Sequence, residues 1–502
     1  MGVARRHRLD GDRGVATDPD SADAVIAEHD LTGLSSRMHG AEYRAARPAS
    51  CARDTQFAVA LDCRGSGQTL KESAMEAASA PAPYVRTRLS IMMFLQYAIW
   101  GAWLPILYPY LMGHRDFSLD QTGLCLMAGA VGALFGPFIA GQLADRSFAT
   151  EKLLAFSHIV GAVIVYFLAG AADFKVFLAL SFVYGLVYAP TMALTNSISF
   201  ANLPDRDRDF GPVRLWGTIG WIAAGIGLGQ ILYRHYNETP DMLDEGRGIG
   251  FMIAAILGVV MAAYCLTLPH TPPTKSAAEK TAWLEGLKEI AKPPLLMLFA
   301  IAVPVSMIHQ FYFVFTSDFV TKVQASAGSE SADAFSAWIN NIFGVGGSGL
   351  MTIGQMTEIA VLAAIPFFAK SVSRKNLLLI GLAAYAVRMA LFAFAPTLPT
   401  VILGISMHGL CFGCFIFVAF MVVDENTTPD IRATAQNLFN LVIVGIGIIV
   451  GSLFATSVVA KYATGGISGP MDYQKLFSVP MYMAIGCFIL MLLLYPSKKK
   501  PA

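Results

Sequence analysis

Polar and apolar positions in this chain sort into long apolar runs separated by short polar gaps, the pattern of membrane-spanning helices and not of half-buried helices or strands. Twelve such runs can be traced, near residues 88–112, 121–143, 153–171, 174–200, 212–234, 248–268, 294–321, 349–370, 376–396, 399–423, 433–460 and 475–495. Crossing ~30 Å of hydrocarbon takes about 20 residues at 1.5 Å rise per residue, and each run is close to that length. Hydrocarbon offers no partner for backbone polar groups, so the runs have to be helical. The expected fold class is therefore an all-α polytopic membrane protein.

Composition supports this and removes the soluble alternative. Of 502 residues, 55% are hydrophobic and 14% charged, too apolar for one soluble core. The net charge of +1 is uninformative, but its placement is not. Arg86, Arg88, Lys152, Arg374, Lys375, Arg432 and Lys498–Lys500 fall in gaps on one side of the predicted spans. The other side carries fewer, among them Arg115, Lys175, Lys322 and Lys461. Basic loops stay inside, which predicts cytoplasmic termini and a cytoplasmic 269–293 loop.

Residues 1–85 are of another kind, with Arg, Asp, Ala and Ser interleaved and no apolar core of a signal peptide. They are expected to form a disordered tail, and Met75 offers an alternative start. Most of the seven cysteines lie in apolar runs and read as small buried hydrophobes. Cys411 and Cys414 have CxxC spacing without a second pair, so neither zinc nor any other cofactor is expected.

The chain also repeats weakly. Gly136-Pro137-Phe138-Ile139-Ala140 ends the second run, and Ile365-Pro366-Phe367-Phe368-Ala369 ends the eighth. This divides the chain into a six-helix half at 86–268, a linker at 269–293 with an amphipathic stretch from Ala282 to Ile290, a second half at 294–496 and a basic tail at 497–502. Two halves around a midplane site are the plan of a secondary transporter, and one such chain suffices, so a functional monomer is expected. A membrane-embedded enzyme would need a nucleophile with its base or a metal set, and no HExxH or GxSxG occurs. A non-transporting sensor would need a soluble signalling domain.

Candidate chemistry lies at mid-membrane depth: His309 and Gln310 in the seventh run, Gln355 and Glu358 in the eighth. A carboxylate at the centre of a span costs roughly +3 kcal/mol on insertion scales, so Glu358 implies a partner or a task. The partner can be Arg388, the other mid-span charge, in an architectural ion pair. The task can be proton handling. Gln355 and Glu358 are i,i+3 neighbours and share one helix face.

The turn Gly141-Gln142-Leu143-Ala144-Asp145-Arg146, followed by Glu151-Lys152, resembles the signature loop of the major facilitator superfamily, in which Asp145 and Arg146 would act as a conformational latch. The segments Phe94-Leu95-Gln96-Tyr97-Ala98-Ile99-Trp100-Gly101-Ala102-Trp103, Arg214-Leu215-Trp216-Gly217-Thr218-Ile219-Gly220 and Ile431-Arg432-Ala433-Thr434-Ala435-Gln436 narrow this. In that order they resemble the bacterial nucleoside:proton symporters of the superfamily, from about Leu89 to the last span. The resemblance implies the major facilitator fold and proton-coupled import of nucleosides across the cytoplasmic membrane, with no nucleic-acid partner. A carrier of a sugar or other small polar metabolite is the alternative.

The resemblance also assigns positions. Arg214, Thr218, Gln310, Gln355, Glu358 and Phe412 match substrate-binding positions, with Glu358 as the proton-coupling residue. Trp221, where the family usually has Phe, and His408, where Tyr is usual, also fall on substrate-binding positions, while Phe313 stands where an amide is expected and Gly413 where an acid is common. In such a set Trp221 or Phe412 would stack on a base, Gln310 and Gln355 would meet its edge, and Glu358 and Arg214 would meet the ribose.

Overall fold

The computed structural model describes residues 84–146, 148–273, 287–327, 333–368, 370–465 and 470–496. The expected tail, most of the predicted linker stretch and the basic terminus lie outside the described residues, as do the side chains of Asp145 and Arg146.

No strand occurs among the described residues. Eleven helices among the described residues are long and apolar enough to cross a membrane: α1 (Val85–His114), α3 (Thr150–Gly170), α4 (Phe174–Asn202), α5 (Arg208–His235), α6 (Pro240–Cys265), α7 (Leu295–Ser326), α8 (Ser348–Phe368), α9 (Arg374–Phe394), α10 (Leu398–Glu425), α11 (Thr434–Ala463) and α12 (Tyr473–Leu494). The second apolar run forms α2 (Leu119–Arg146), a helix of 28 residues, which completes the expected twelve. Side-chain caps fix several starts by satisfying free backbone N–H groups. Asp173 accepts from the N–H groups of Lys175 and Val176 at 2.9 and 3.0 Å before α4, Ser373 from Asn376 before α9, and Asp472 from Lys475 before α12.

Packing produces two hydrophobic cores. One gathers residues of α1 to α6, among them Leu89, Ile99, Phe177 and Phe251. The other is drawn mainly from α7 to α12, with Phe311, Phe315, Tyr385 and Phe477 at its centre. Van der Waals packing and close backbone approach hold helices together where lipid is as apolar as the side chains. Gly132 of α2 lies so near the backbone of Gly185 in α4 that a Cβ there would overlap it.

The two sets of helices meet at the end of the bundle remote from Val85 and Leu494. There Val345 N–H donates to Gly229 C=O at 3.1 Å, Gln230 Nε2 donates to Asn341 C=O at 3.0 Å, and Arg247 Nη2 donates to Thr321 Oγ1 at 3.2 Å. Lys461 pairs with Asp120 at 2.6 Å, and the rings of Tyr108 and Phe315 pack with centroids 4.8 Å apart. The short amphipathic helix Asp333–Phe343 lies at this same end and supplies Asn340 and Asn341, while its Phe335, Trp338 and Ile342 are exposed.

At the opposite end Glu151 is buried at the start of α3. Its two carboxylate oxygens hold the loop after α6, one accepting from Thr271 N–H at 3.0 Å and the other lying 2.7 Å from His270 Nδ1. Arg86 and the buried Asp209 pair at 2.6 Å, tying α1 to α5.

Candidate functional site

The site is built where α1 and α5 face α7, α8 and α10. Glu358 projects from α8 with its side chain 14% exposed. Its Oε2 lies 3.6 Å from Nε2 of His408 on α10. The two helices can approach this closely because of glycine. Gly354 sits against the His408 side chain and the Tyr312 hydroxyl, and Gly409 sits against the Thr357 backbone, leaving no room for a Cβ at either.

His408 is 2% exposed and enclosed by aromatic rings. Tyr312 stacks on it with centroids 4.9 Å apart and planes 25° apart, and Phe412, one turn along α10, lies 6.4 Å away at 24°. Its other ring nitrogen, Nδ1, is 3.3 Å from Nη1 of Arg388. Arg388 is fully buried, and its charge is met by the faces of Tyr312 and Tyr385 at 4.5 and 5.0 Å. The direct Glu358–Arg388 ion pair that the sequence allows is not formed among the described residues, because His408 occupies the space between them.

From the other half, Arg214 and Trp221 on α5 and Tyr97 and Trp100 on α1 face this group. The Arg214 guanidinium lies over the Tyr97 ring at 4.0 Å. Thr218 follows one turn after Arg214, half-buried. Trp221 packs edge-on to Trp100 at 6.1 Å and, across the seam between halves, to Phe313 of α7 at 6.4 Å. Phe313 thus fills the position of the expected amide with an aromatic wall.

Gln355 lies three residues before Glu358, as its spacing predicts, and its buried Oε1 has no hydrogen-bond partner among the described residues. A buried acceptor without a donor is an opening for a ligand or a water. Gln310 turns the other way and donates to Ser452 Oγ on α11 at 3.0 Å. Its neighbour His309 faces the site instead, with Nδ1 2.7 Å from Tyr385 Oη and its ring 5.2 Å from that of His408. Gln96, which the sequence places beside Trp100, is fully buried in a separate network with Thr191 at 2.7 Å and His158 at 2.9 Å. At Gly413 an added Cβ would stand 2.6 Å from Val361 Cγ1, so a larger residue there needs Val361 to move.

Sequence reading missed Tyr97, Tyr312 and Tyr385 as site residues. Tyr97 carried a signal, since it lies one helical turn before Trp100 on the same face. No group of three or more His, Cys, Asp or Glu suited to a metal ion is present among the described residues. Two surface hollows, one lined by Phe319, Lys322 and Tyr473 and the other by Tyr110, His114 and Tyr166, lie towards the end where the halves meet and contain none of the candidate site residues.

Residues 84–500 match the family described as nucleoside H+ symporter. The transporter YegT of Escherichia coli (strain K12) is 33% identical over 376 residues, spanning 72% of this chain and 82% of that protein. The xanthosine permease of the same organism is 28% identical over 408 residues, 79% of this chain and 92% of the permease. A crystal structure of the nucleoside transporter NupG, a single-site mutant, matches with a TM-score of 0.72 at 26% identity, covering 82% of this chain and 100% of that one.

Proposed function

The chain belongs to the nucleoside H+ symporter family of multi-pass membrane transporters, and on that premise we propose that it imports nucleosides with protons by alternating access around Glu358. The observation that carries this reading is the placement of a single carboxylate. Glu358 lies 3.6 Å from His408 of its own half, among aromatic rings that both halves supply.

A nucleoside has a flat π face, a base edge with donors and acceptors, and ribose hydroxyls. Trp221, Phe313 and Phe412 offer faces and edges for the base, the unpartnered Gln355 Oε1 offers an acceptor, and Arg214, Tyr97 and Glu358 offer partners for hydroxyls. Thr218 adds a hydroxyl on the same helix as Arg214. Gln310, held by Ser452, acts in this reading through the α7–α11 contact.

With the Arg- and Lys-rich gaps taken as cytoplasmic, the joined end of the bundle faces outward and the structure is closed to the outside. Glu358 then holds a proton while the site faces outward and releases it once the site faces the cytoplasm. One charge moving through ~100 mV supplies about 2.3 kcal/mol, enough for tens-fold accumulation. The halves rock about this site, the loop at Asp145 and Arg146 latches the cytoplasmic ends, and a single chain is the working unit.

Uptake of labelled nucleosides into vesicles, with and without an imposed gradient acid outside, tests the proposal. Accumulation above the external level with the gradient, abolished by a protonophore, is expected. Gradient-independent equilibration, or uptake that free ribose competes away as well as a nucleoside does, would contradict it.

A further inference from the structure

The carboxylate at the centre of the proposed transport cycle has an unusual neighbour. Arg388 is fully buried on α9, and among the described residues its Nε and Nη2 have no hydrogen-bond partner, while Nη1 points at His408 Nδ1, 3.3 Å away. Guanidinium nitrogens donate and never accept in proteins, so Nδ1 has to be the acceptor. A neutral imidazole that accepts at Nδ1 carries its one proton at Nε2. Nε2 is the nitrogen that faces Glu358 Oε2.

We propose that Arg388 is a positioning residue for the proton-coupling site: it locks His408 in the Nε2–H tautomer, so that a hydrogen-bond donor and not a lone pair faces Glu358. The inference rests on the reading of Glu358 given above and adds a function for the arginine and the histidine behind it. At 3.6 Å the Nε2 to Oε2 separation is just beyond hydrogen-bond length, and a small rotation of the Glu358 side chain closes it once the carboxyl has lost its proton. His408 therefore gives the carboxylate a donor without adding a second base. It does not carry a proton itself, because Arg388 occupies the lone pair that would have to receive it.

The surroundings of the imidazole agree. From α7, Tyr312 stacks on the ring and fixes its plane, while the nearby His309 is bound through Nδ1 to Tyr385 Oη on α9 at 2.7 Å. Glu358 faces it from α8 and Arg388 from α9, and Cys411 and Phe412 follow on its own helix. Arg214 and Tyr97, paired with each other on α5 and α1, belong to the opposite half. Arg388 is the one cation that contacts the imidazole among the described residues.

Histidine-selective 15N NMR on the full chain in lipid nanodiscs reads the tautomer directly, with the His408 signals identified by their loss in His408→Gln. One protonated and one unprotonated nitrogen, assigned as Nε2–H and bare Nδ1, are expected to persist from about pH 5 to 8. Arg388→Met removes the donor and should give mixed tautomers or titration in that window. Arg388→Lys, which keeps a cationic donor and brings no acceptor, should keep the parent spectrum. The pH profile of uptake should follow the same order, unchanged in Arg388→Lys and displaced by about one pH unit in Arg388→Met.

An Nδ1–H tautomer or a doubly protonated His408 in the parent, or a parent-like spectrum in Arg388→Met, would overturn the lock. The parent spectrum alone decides the matter if Arg388→Met does not fold. A parent with the expected tautomer but without gradient-driven uptake would defeat the transport reading and leave the lock standing, so the two failures are distinct.

Discussion

Trp221 and Phe412 reach the Glu358 site from opposite halves, and their predicted contribution is a stacking surface. Replacing either by Ala should cost on the order of 1–3 kcal/mol of nucleoside binding, roughly a tenfold to hundredfold weaker apparent affinity. Free ribose, which has no π face, should be affected far less, and transport competition by both ligands measures the difference. Equal losses would make the two rings cavity walls and nothing more. At this scale the sequence is legible where spacing alone decides. Gln355 and Glu358 share a face because three residues separate them, and the structure keeps them together. It is illegible where helix rotation decides. Of the adjacent pair His309 and Gln310, the histidine faces the site and the glutamine faces Ser452, which depends on how α7 packs against α9 and α11. The Glu358–Arg388 pair fails for a similar reason, since two opposite mid-span charges invite pairing until a third side chain is seen between them.

At the scale of elements, the joining of the halves is concentrated at one end, around Gly229, Val345 and the helix Asp333–Phe343. The Lys461–Asp120 pair there is half-exposed, and such pairs stabilise little, so the backbone contact and ring packing hold the closure. In the proposed cycle the two positions meet only while this end is closed. In an Asp120→Cys/Lys461→Cys double variant, a short reducible thiol cross-linker should abolish uptake, and reductant should restore it, while the parent treated in the same way is unaffected. Transport at the parent rate by the cross-linked protein would show that this end need not open. Span positions were readable from hydrophobicity, yet several helices outrun the apolar stretch: α7 continues to Ser326 and α5 begins at Arg208. Their ends are polar, so hydropathy gives no signal there while backbone hydrogen bonding continues. The helix Asp333–Phe343 escaped notice because a window sized for spans passes over an 11-residue amphipathic segment whose Phe335, Trp338 and Ile342 recur at helical spacing.

For the whole molecule, two hydrophobic cores meeting at a polar seam follow from the same few facts: twelve apolar helices, a handful of mid-span polar residues and a basic bias of the gaps. The class of protein was legible because hydrocarbon forces helices and penalises each buried charge, so every exception stands out. The arrangement around the exceptions was not, since the order in which Arg388, His408, Glu358 and Arg214 line up across four helices is a property of packing. The central claim is that Glu358 couples proton movement to nucleoside movement. Purified protein in vesicles loaded with a pH-sensitive dye measures this most directly, with parent and Glu358→Gln compared as nucleoside is added outside. The account predicts that nucleoside entry acidifies the lumen in the parent, and that Glu358→Gln exchanges nucleoside across the membrane with no change in luminal pH. Acidification in Glu358→Gln equal to that of the parent would contradict it.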